Sequence, residues 1–363
     1  MAISVQNEIF FNTLLTAIGH AVVSDEPLIS IDDCLYLFRE SQKQAIDGVL
    51  LDGFVKLRVD ADNIQYYQKI KLQWIASVLQ LEQRNNQTNI RAKQLTEFFK
   101  AGGYRTCVLK GQGIALLYPK PKRRRCGDID LWVEGERDDI VNFIRSKGVK
   151  IYDVHLVHAT AEFFKDVPVE IHFRPSWMYN PFLDSRLQAF FTSQAPEQFA
   201  HYDEAVGFVC PTVYFNLVHS MVHINRHIFE EGIGLRQLMD YYFILKHSSL
   251  EERDKAYEVL CNVGLKKFVG AVMYVMQQVF LLDRNLMLCS PNIKLGGGLL
   301  DSIMYGGNFG HALGVKHGSN KLEKGLLQFK HNLQFLLPYA NEALWIPFFQ
   351  VWHYGWRKLH GYL

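Results

Sequence analysis

Nearly all of the strand signal in this chain falls between residues 105 and 173, and apolar residues recur at helical spacing on both sides of it. RTCVLK (105–110) is a short β-rich run, and DIDLWV (128–133) alternates as a strand does. ERDDIVNFIRSKG (136–148) reads as a helix closed by Gly148. VKIYDV (149–154), HATAEFF (158–164) and PVEIHF (168–173) are three further strand candidates, and AHYDEAVGFVCP (200–211) is a candidate hairpin. Upstream, 64–83 and 90–103 each present one apolar face, the second ending at Gly102-Gly103. Downstream, 213–229, 235–247, 268–282, 323–337 and 342–359 read as helices, and the glycine-rich stretch 296–314 reads as a loop. The pattern predicts an α+β fold: a small mixed sheet, with helices on one face, set between helical N- and C-terminal regions. The expected divisions are 1–102, 103–200 and 201–363, with the helical parts forming the far wall of a cleft.

The chain's 363 residues exceed one ordinary core. Hydrophobic residues at 48% and charged residues at 21% exclude a disordered chain. A net charge of +2 excludes a molecule that coats nucleic acid with its whole surface, so any basic function is local. Nucleic acid is left open as a partner, but nothing indicates it. Six cysteines without a CxxC pair argue for reduced thiols and a cytoplasmic location. The N-terminus lacks the basic start of a signal peptide, and no run of 18 apolar residues exists, so no membrane partner is expected.

The chemistry concentrates in LKGQGIALLYPKPKRRRCGDIDLWV (109–133). Asp128 and Asp130 stand two apart on the expected strand, so both carboxylates leave one face, about 7 Å apart at Cβ. Like charges at that spacing call for a cation, and hard oxygen ligands favour Mg²⁺ or Mn²⁺. Spacing alone is weak, because Asp60 and Asp62 share it at an expected helix start. Glu170 strengthens the case. It sits among apolar residues in PVEIHF, and a strand beside DIDLWV would bring it to the aspartates, with His172 on its face. Lys110 and Gly111 follow a strand and precede a short helix at 113–119, where backbone can approach a phosphate. Lys120, Lys122, Arg123, Arg124 and Arg125 then add cations directly before the carboxylates, as a metal–triphosphate site needs.

These residues resemble the polymerase-β-like nucleotidyltransferase superfamily, and within it the bacterial family of uncharacterised nucleotidyltransferases. The resemblance rests on Leu109-Lys110-Gly111, Leu117-Tyr118, Arg125, Gly127-Asp128-Ile129-Asp130 and Val169-Glu170-Ile171-His172, with a weaker likeness at GLRQLMD (234–240). It implies metal-dependent transfer of a nucleoside monophosphate from an NTP to an unidentified acceptor, a small molecule, protein or RNA end, releasing pyrophosphate. Asp128, Asp130 and Glu170 would be the catalytic metal ligands, with Glu170 also helping to deprotonate the acceptor. Lys110, Gly111, Gln112, Arg125 and His172 would bind the nucleotide, Lys110 and Arg125 by neutralising phosphate. One departure stands out: superfamily members usually carry Gly or Ser after the first glycine, where this chain has Gln112 and then Gly113. A non-catalytic nucleotide- or RNA-binding protein and a helical interaction scaffold are the alternatives.

Plainer roles compete at each position. The basic run reads equally as a solvated loop, and Glu170 could pair with Arg174. His219, His223 and His227 step by four along one helix, but the HExxH pattern fails, so packing is the expectation. Arg236 and Asp240 read as a helix ion pair, and Trp345, Trp352 and Trp356 as core or interface.

Overall fold

The computed structural model describes residues 5–20, 28–230, 232–308 and 339–362. Three helices begin the chain: α1 (Val5–Ala17), α2 (Ile31–Lys43) and α3 (Asp47–Phe54). Ser30 caps α2, accepting from the Asp33 amide while the Asp33 carboxylate accepts from the Ser30 amide. α4 (Ile64–Ala101) then runs unbroken for 38 residues.

That continuity corrects the expectation of two helices, 64–83 and 90–103. The intervening RNNQTN looked like a break because it carries no apolar residue. Yet the buried positions keep one stripe at three- and four-residue steps from Tyr67 to Phe99, and Asn85 and Thr88 fill its middle. Asn85 is buried there because its amide donates to the carbonyls of Lys122 (2.6 Å) and Arg124 (2.7 Å).

Five strands form the main sheet: β1 (Thr106–Leu109), β2 (Ile129–Val133), β3 (Ile151–Val154), β4 (His158–Ala161) and β5 (Val169–His172), in the order β1-β2-β5-β4-β3. β2 and β5 pair in parallel and the other neighbours antiparallel, so the sheet is mixed as expected. A one-turn helix α5 (Gly111–Ala115) follows β1, and α6 (Arg137–Ser146) follows β2. The hairpin at 200–211 forms as β6 (Tyr202–Asp203) and β7 (Phe208–Val209) after α7 (Pro181–Gln198).

Helices lie against both faces of the sheet rather than one. Every residue of β2 is buried. Ile129, Leu131 and Val133 join Leu95 and Phe99 of α4 and Ile140 of α6 in one core. Trp132 packs the other way, against Phe199 and Phe215. The second face is covered by α7 and α8 (Val213–Glu230), then by α9 (Leu235–His247), α10 (Leu250–Asn262) and α11 (Lys266–Phe280). One apolar cluster includes α1–α4, the α8 face of the sheet and α8–α11, so side chains from all three expected regions share it.

The glycine-rich stretch is helical as far as Gly306: α12 (Ile293–Gly306) packs along α11. A Cβ on Gly296 would stand 2.3 Å from the Tyr274 Cβ, so glycine here permits close helix approach rather than a loop. The remainder of that stretch beyond 308, and the expected helix at 323–337, lie outside the described residues. α13 (Ala340–Ala343) and α14 (Ile346–Leu359) end the chain. α14 reaches the β3–β4 hairpin, where Arg357 pairs with Asp153 and the Leu156 amide donates to His353 Nε2 (3.3 Å). Among the described residues, no helix is long and apolar enough to cross a membrane.

Candidate active site

Strand register brings the predicted carboxylates together. Asp130 lies directly opposite Glu170 in the parallel β2–β5 pair, and Trp132 lies opposite His172. Asp130, Glu170 and His172 therefore leave the same face of the sheet, the face turned toward α8. Asp128 precedes β2. One carboxylate oxygen from each of Asp128, Asp130 and Glu170 falls within 4.8 Å of the others, a spacing fit for a metal ion.

Two cations already serve Asp130. Lys110 Nζ donates to Asp130 Oδ1 at 2.8 Å, and His172 Nε2 stands 2.8 Å from the same oxygen. The other His172 nitrogen, Nδ1, faces the Arg174 carbonyl at 3.3 Å. Carboxylate and carbonyl oxygens only accept, so both contacts are hydrogen bonds only when both ring nitrogens carry protons, as in an imidazolium. Burial opposes that charge, but the hydrogen bonds to Asp130 and Glu170 raise the His172 pKa above the ordinary value.

The carboxylates divide accordingly. Repulsion from Asp130, followed by burial, lifts Asp128 to about 6. Burial alone would lift Asp130 too, but Lys110 and His172 hold it well below the usual carboxylate range. Glu170 feels the same opposition of burial against His172 and His158, and settles at about 2. Its rival partner Arg174 points instead toward Asp184.

Lys110 holds a backbone conformation unusual for its type, φ 53° and ψ −124°, between β1 and α5. Such strain is of order 1–3 kcal/mol and collects at functional sites. It turns the lysine back to the carboxylates within one residue of the strand end. Gly111 lines the cleft, and a Cβ there would meet nothing nearer than 3.9 Å, so packing does not dictate this glycine.

Four cations of the basic run are paired with carboxylates, and Lys122 is exposed. Arg124 is 5% exposed and grips Asp240 of α9 through Nε (2.7 Å) and Nη2 (2.6 Å), while the Tyr118 hydroxyl donates to the same carboxylate (2.6 Å). Asp240 thus takes Arg124 as its bidentate partner, where a pair with Arg236 was expected. Arg125 grips Asp47 of α3 through two nitrogens (3.0 and 2.6 Å), and Lys120 and Arg123 reach Asp52, Arg123 also Glu82. The segment therefore ties the sheet to helices before and after it.

Above these groups opens a cleft of about 1140 Å³. Lys110, Gly111, Asp128, Asp130 and Glu170 line it; Gln112, Arg125 and His172 do not. Gln112 is 3% exposed, with neither side-chain polar atom paired among the described residues. Arg84, Arg124 and Arg236 also line the cleft. The opposite wall combines Trp177, Tyr179, His223 and Arg226 with Phe349 and His353 of α14. Arg226 lies over the Trp177 ring at 3.8 Å, a cation–π contact.

The α8 histidines divide. His219 is fully buried, its Nε2 donating to the Pro175 carbonyl (3.1 Å), whereas His223 and His227 line the cleft. Burial, then Lys110, depresses His219 to about 3, and burial keeps the other two neutral as well. None belongs to either metal-spaced group found among the described residues. Sequence reasoning expected a helical far wall but did not assign it to α14, whose contacts cross nearly 200 positions, and it missed His158, opposite His172 in the β4–β5 pair. Strand alternation in HATAEFF could have signalled that imidazole, but not its neighbour.

No curated protein shows significant similarity to this chain. The three clustered carboxylates and the lysine–glycine turn beneath the cleft fall within residues 37–281, where the family model matches, and the chain belongs to the family of uncharacterised nucleotidyltransferases.

Proposed function

We propose that the chain transfers a nucleoside monophosphate from an NTP to an acceptor in the cleft, using Mg²⁺ or Mn²⁺ held by Asp128, Asp130 and Glu170. The observation that carries this reading is the Asp130–Glu170 register, which with Asp128 gathers three carboxylates within 4.8 Å at the cleft floor. Hard oxygen donors of that number suit Mg²⁺ or Mn²⁺ better than softer ions. A divalent ion bound there would supply charge stabilisation as pyrophosphate leaves the α-phosphorus.

The chain's own groups do the positioning. Lys110 stands at the carboxylates and within the cleft, suited to meet the triphosphate. Arg84 and Arg236 line the cleft and fit a phosphate contact there, whereas Arg125 does not line it. Gly111 leaves backbone open to the ligand. Gln112, being buried, fits support of that turn rather than direct contact. His172 fits orientation of Asp130 and Glu170 from beneath. Glu170, with a pKa of about 2, is suited to bind metal and is a weak base for the acceptor proton. A cleft of about 1140 Å³ exceeds what one small ligand needs, which supports a donor and an acceptor bound together.

The test is thermal stability with each of the four NTPs, with and without Mg²⁺, beside Asp130→Ala. A ligand at about 100 times its Kd adds about 2.7 kcal/mol. A Mg²⁺-dependent shift for an NTP, absent in the variant, is the expected result. No shift with any NTP would overturn the reading.

A further inference from the structure

The sheet carries a second group of ligand type beside the three carboxylates. His158 of β4 lies directly opposite His172 of β5, and Glu170 stands two residues before His172, so all three side chains share the α8 face. One donor atom of each falls within 4.8 Å of the others. His172 Nε2 is 3.4 Å from Glu170 Oε2, and His158 Nε2 is 3.9 Å from Glu170 Oε1. The two imidazole rings stand 5.4 Å apart.

The donor set differs in kind from Asp128, Asp130 and Glu170. Two imidazoles and a carboxylate suit Zn²⁺ and similar divalent transition ions, and two nitrogen donors are poor ligands for Mg²⁺. Three further features fit a ligand role. His172 Nδ1 is directed at the Arg174 carbonyl, the outer hydrogen bond that fixes a ligating imidazole with Nε2 inward. The buried Nδ1 of His158 has no hydrogen-bond partner among the described residues, so no protein group competes for that ring nitrogen. His158 and Glu170 both line the cleft, which gives an ion entry and leaves an open coordination position.

We infer that His158, Glu170 and His172 form a binding site for a divalent transition ion of the Zn²⁺ class, sharing Glu170 with the carboxylate site. Binding replaces the Nε2 proton of His172, so that ring ceases to donate to Asp130 and Lys110 remains as the Asp130 partner. The two centres are coupled through Glu170 and His172, yet each has ligands of its own: His158 on one side, Asp128 on the other. The inference needs no nucleotide and does not rest on nucleotidyl transfer.

The experiment is calorimetric titration of the chelator-stripped full chain with ZnCl₂ in excess Mg²⁺, without NTP. The expected result is roughly one Zn²⁺ per chain, since His158, Glu170 and His172 form one three-ligand centre. His158→Ala should weaken binding by about a hundredfold or more, beyond what outer-shell losses cost. Asp128→Asn and His223→Ala should leave it within about threefold of the wild type, being outside the centre. Unchanged Zn²⁺ affinity in His158→Ala would overturn the inference, as would equal loss in Asp128→Asn. Co²⁺ added to the wild-type chain gives a check that needs no variant. Visible bands of a nitrogen-ligated four- or five-coordinate centre are expected, and the weak spectrum of an octahedral all-oxygen ion would overturn the assignment.

Discussion

Replacing Arg124 by methionine tests whether the loop before the carboxylates is held by its buried ion pair. Arg124 and Asp240 are 5% and 6% exposed, bonded at 2.7 and 2.6 Å, and Tyr118 donates to the same carboxylate. Arg124→Met leaves Asp240 charged, buried and served by one hydroxyl. Breaking one side of such a pair costs about 3–5 kcal/mol, because the remaining charge keeps its desolvation penalty without its partner. With a urea m-value of about 3 kcal/mol/M for a large chain, a cost of about 4 kcal/mol moves the unfolding midpoint down by about 1.3 M. Removing both charges should restore most of the loss, since well-packed apolar side chains replace buried pairs at little cost. In Arg124→Met/Asp240→Leu the Tyr118 hydroxyl is still orphaned, which retains about 1–3 kcal/mol. Adding Tyr118→Phe should bring the midpoint to within about 0.3 M of the wild type, or about 1 kcal/mol. The assay is urea unfolding followed by tryptophan fluorescence and far-ultraviolet circular dichroism. The reasoning fails if Arg124→Met moves the midpoint by less than about 0.3 M, or if the double variant loses as much as the two single losses added together.

Three further outcomes follow from other contacts. Glu342 is 4% exposed, accepts from the Tyr179 and Asn180 amides, and is pushed by burial to about 8. Because the folded pKa lies above the unfolded one, the fold holds the extra proton between about pH 4.5 and pH 8. Stability is therefore lost across that window as pH rises, by up to about 1.4 kcal/mol per unit; Glu342→Gln should flatten the profile of thermal midpoint against pH, and parallel profiles would contradict the assignment. Asn85→Ala removes two hydrogen bonds to the carbonyls of Lys122 and Arg124, and chemical denaturation should register a loss of about 1–3 kcal/mol. Gly296→Val drives a side chain into Tyr274, and a fall of about 1–3 kcal/mol or more is expected, whereas an unchanged midpoint would mean that α12 does not pack so closely on α11.

Much of the site was legible because its parts are short-range. Asp128, Asp130 and Glu170 lie in segments whose alternation marks them as strand, and alternation fixes which residues share a face. The helical flanks were legible for the same reason, since 3.6-residue periodicity is carried by neighbours. The errors came where polar or flexible residues do a packing job. RNNQTN reads as a break until Asn85 finds the loop carbonyls, and the glycines from 296 read as a loop until Gly296 packs against Tyr274.

The basic run marks the boundary between the two kinds of information. Its sequence establishes five cations beside two carboxylates, and no more. Whether each meets phosphate, water or a carboxylate depends on Asp47 and Asp52 of α3, Glu82 of α4 and Asp240 of α9, which lie from about 40 to nearly 120 positions away. The same holds for His158, which gains a neighbour in His172 only through β-sheet register, and for α14, which becomes a wall of the cleft only by reaching the β3–β4 hairpin. By itself the sequence determined the strands, the helical flanks and the carboxylate spacing, all set by local dihedral preference and periodicity. Only the tertiary structure decided which charges neutralise one another, because electrostatic pairing and burial depend on distance in space.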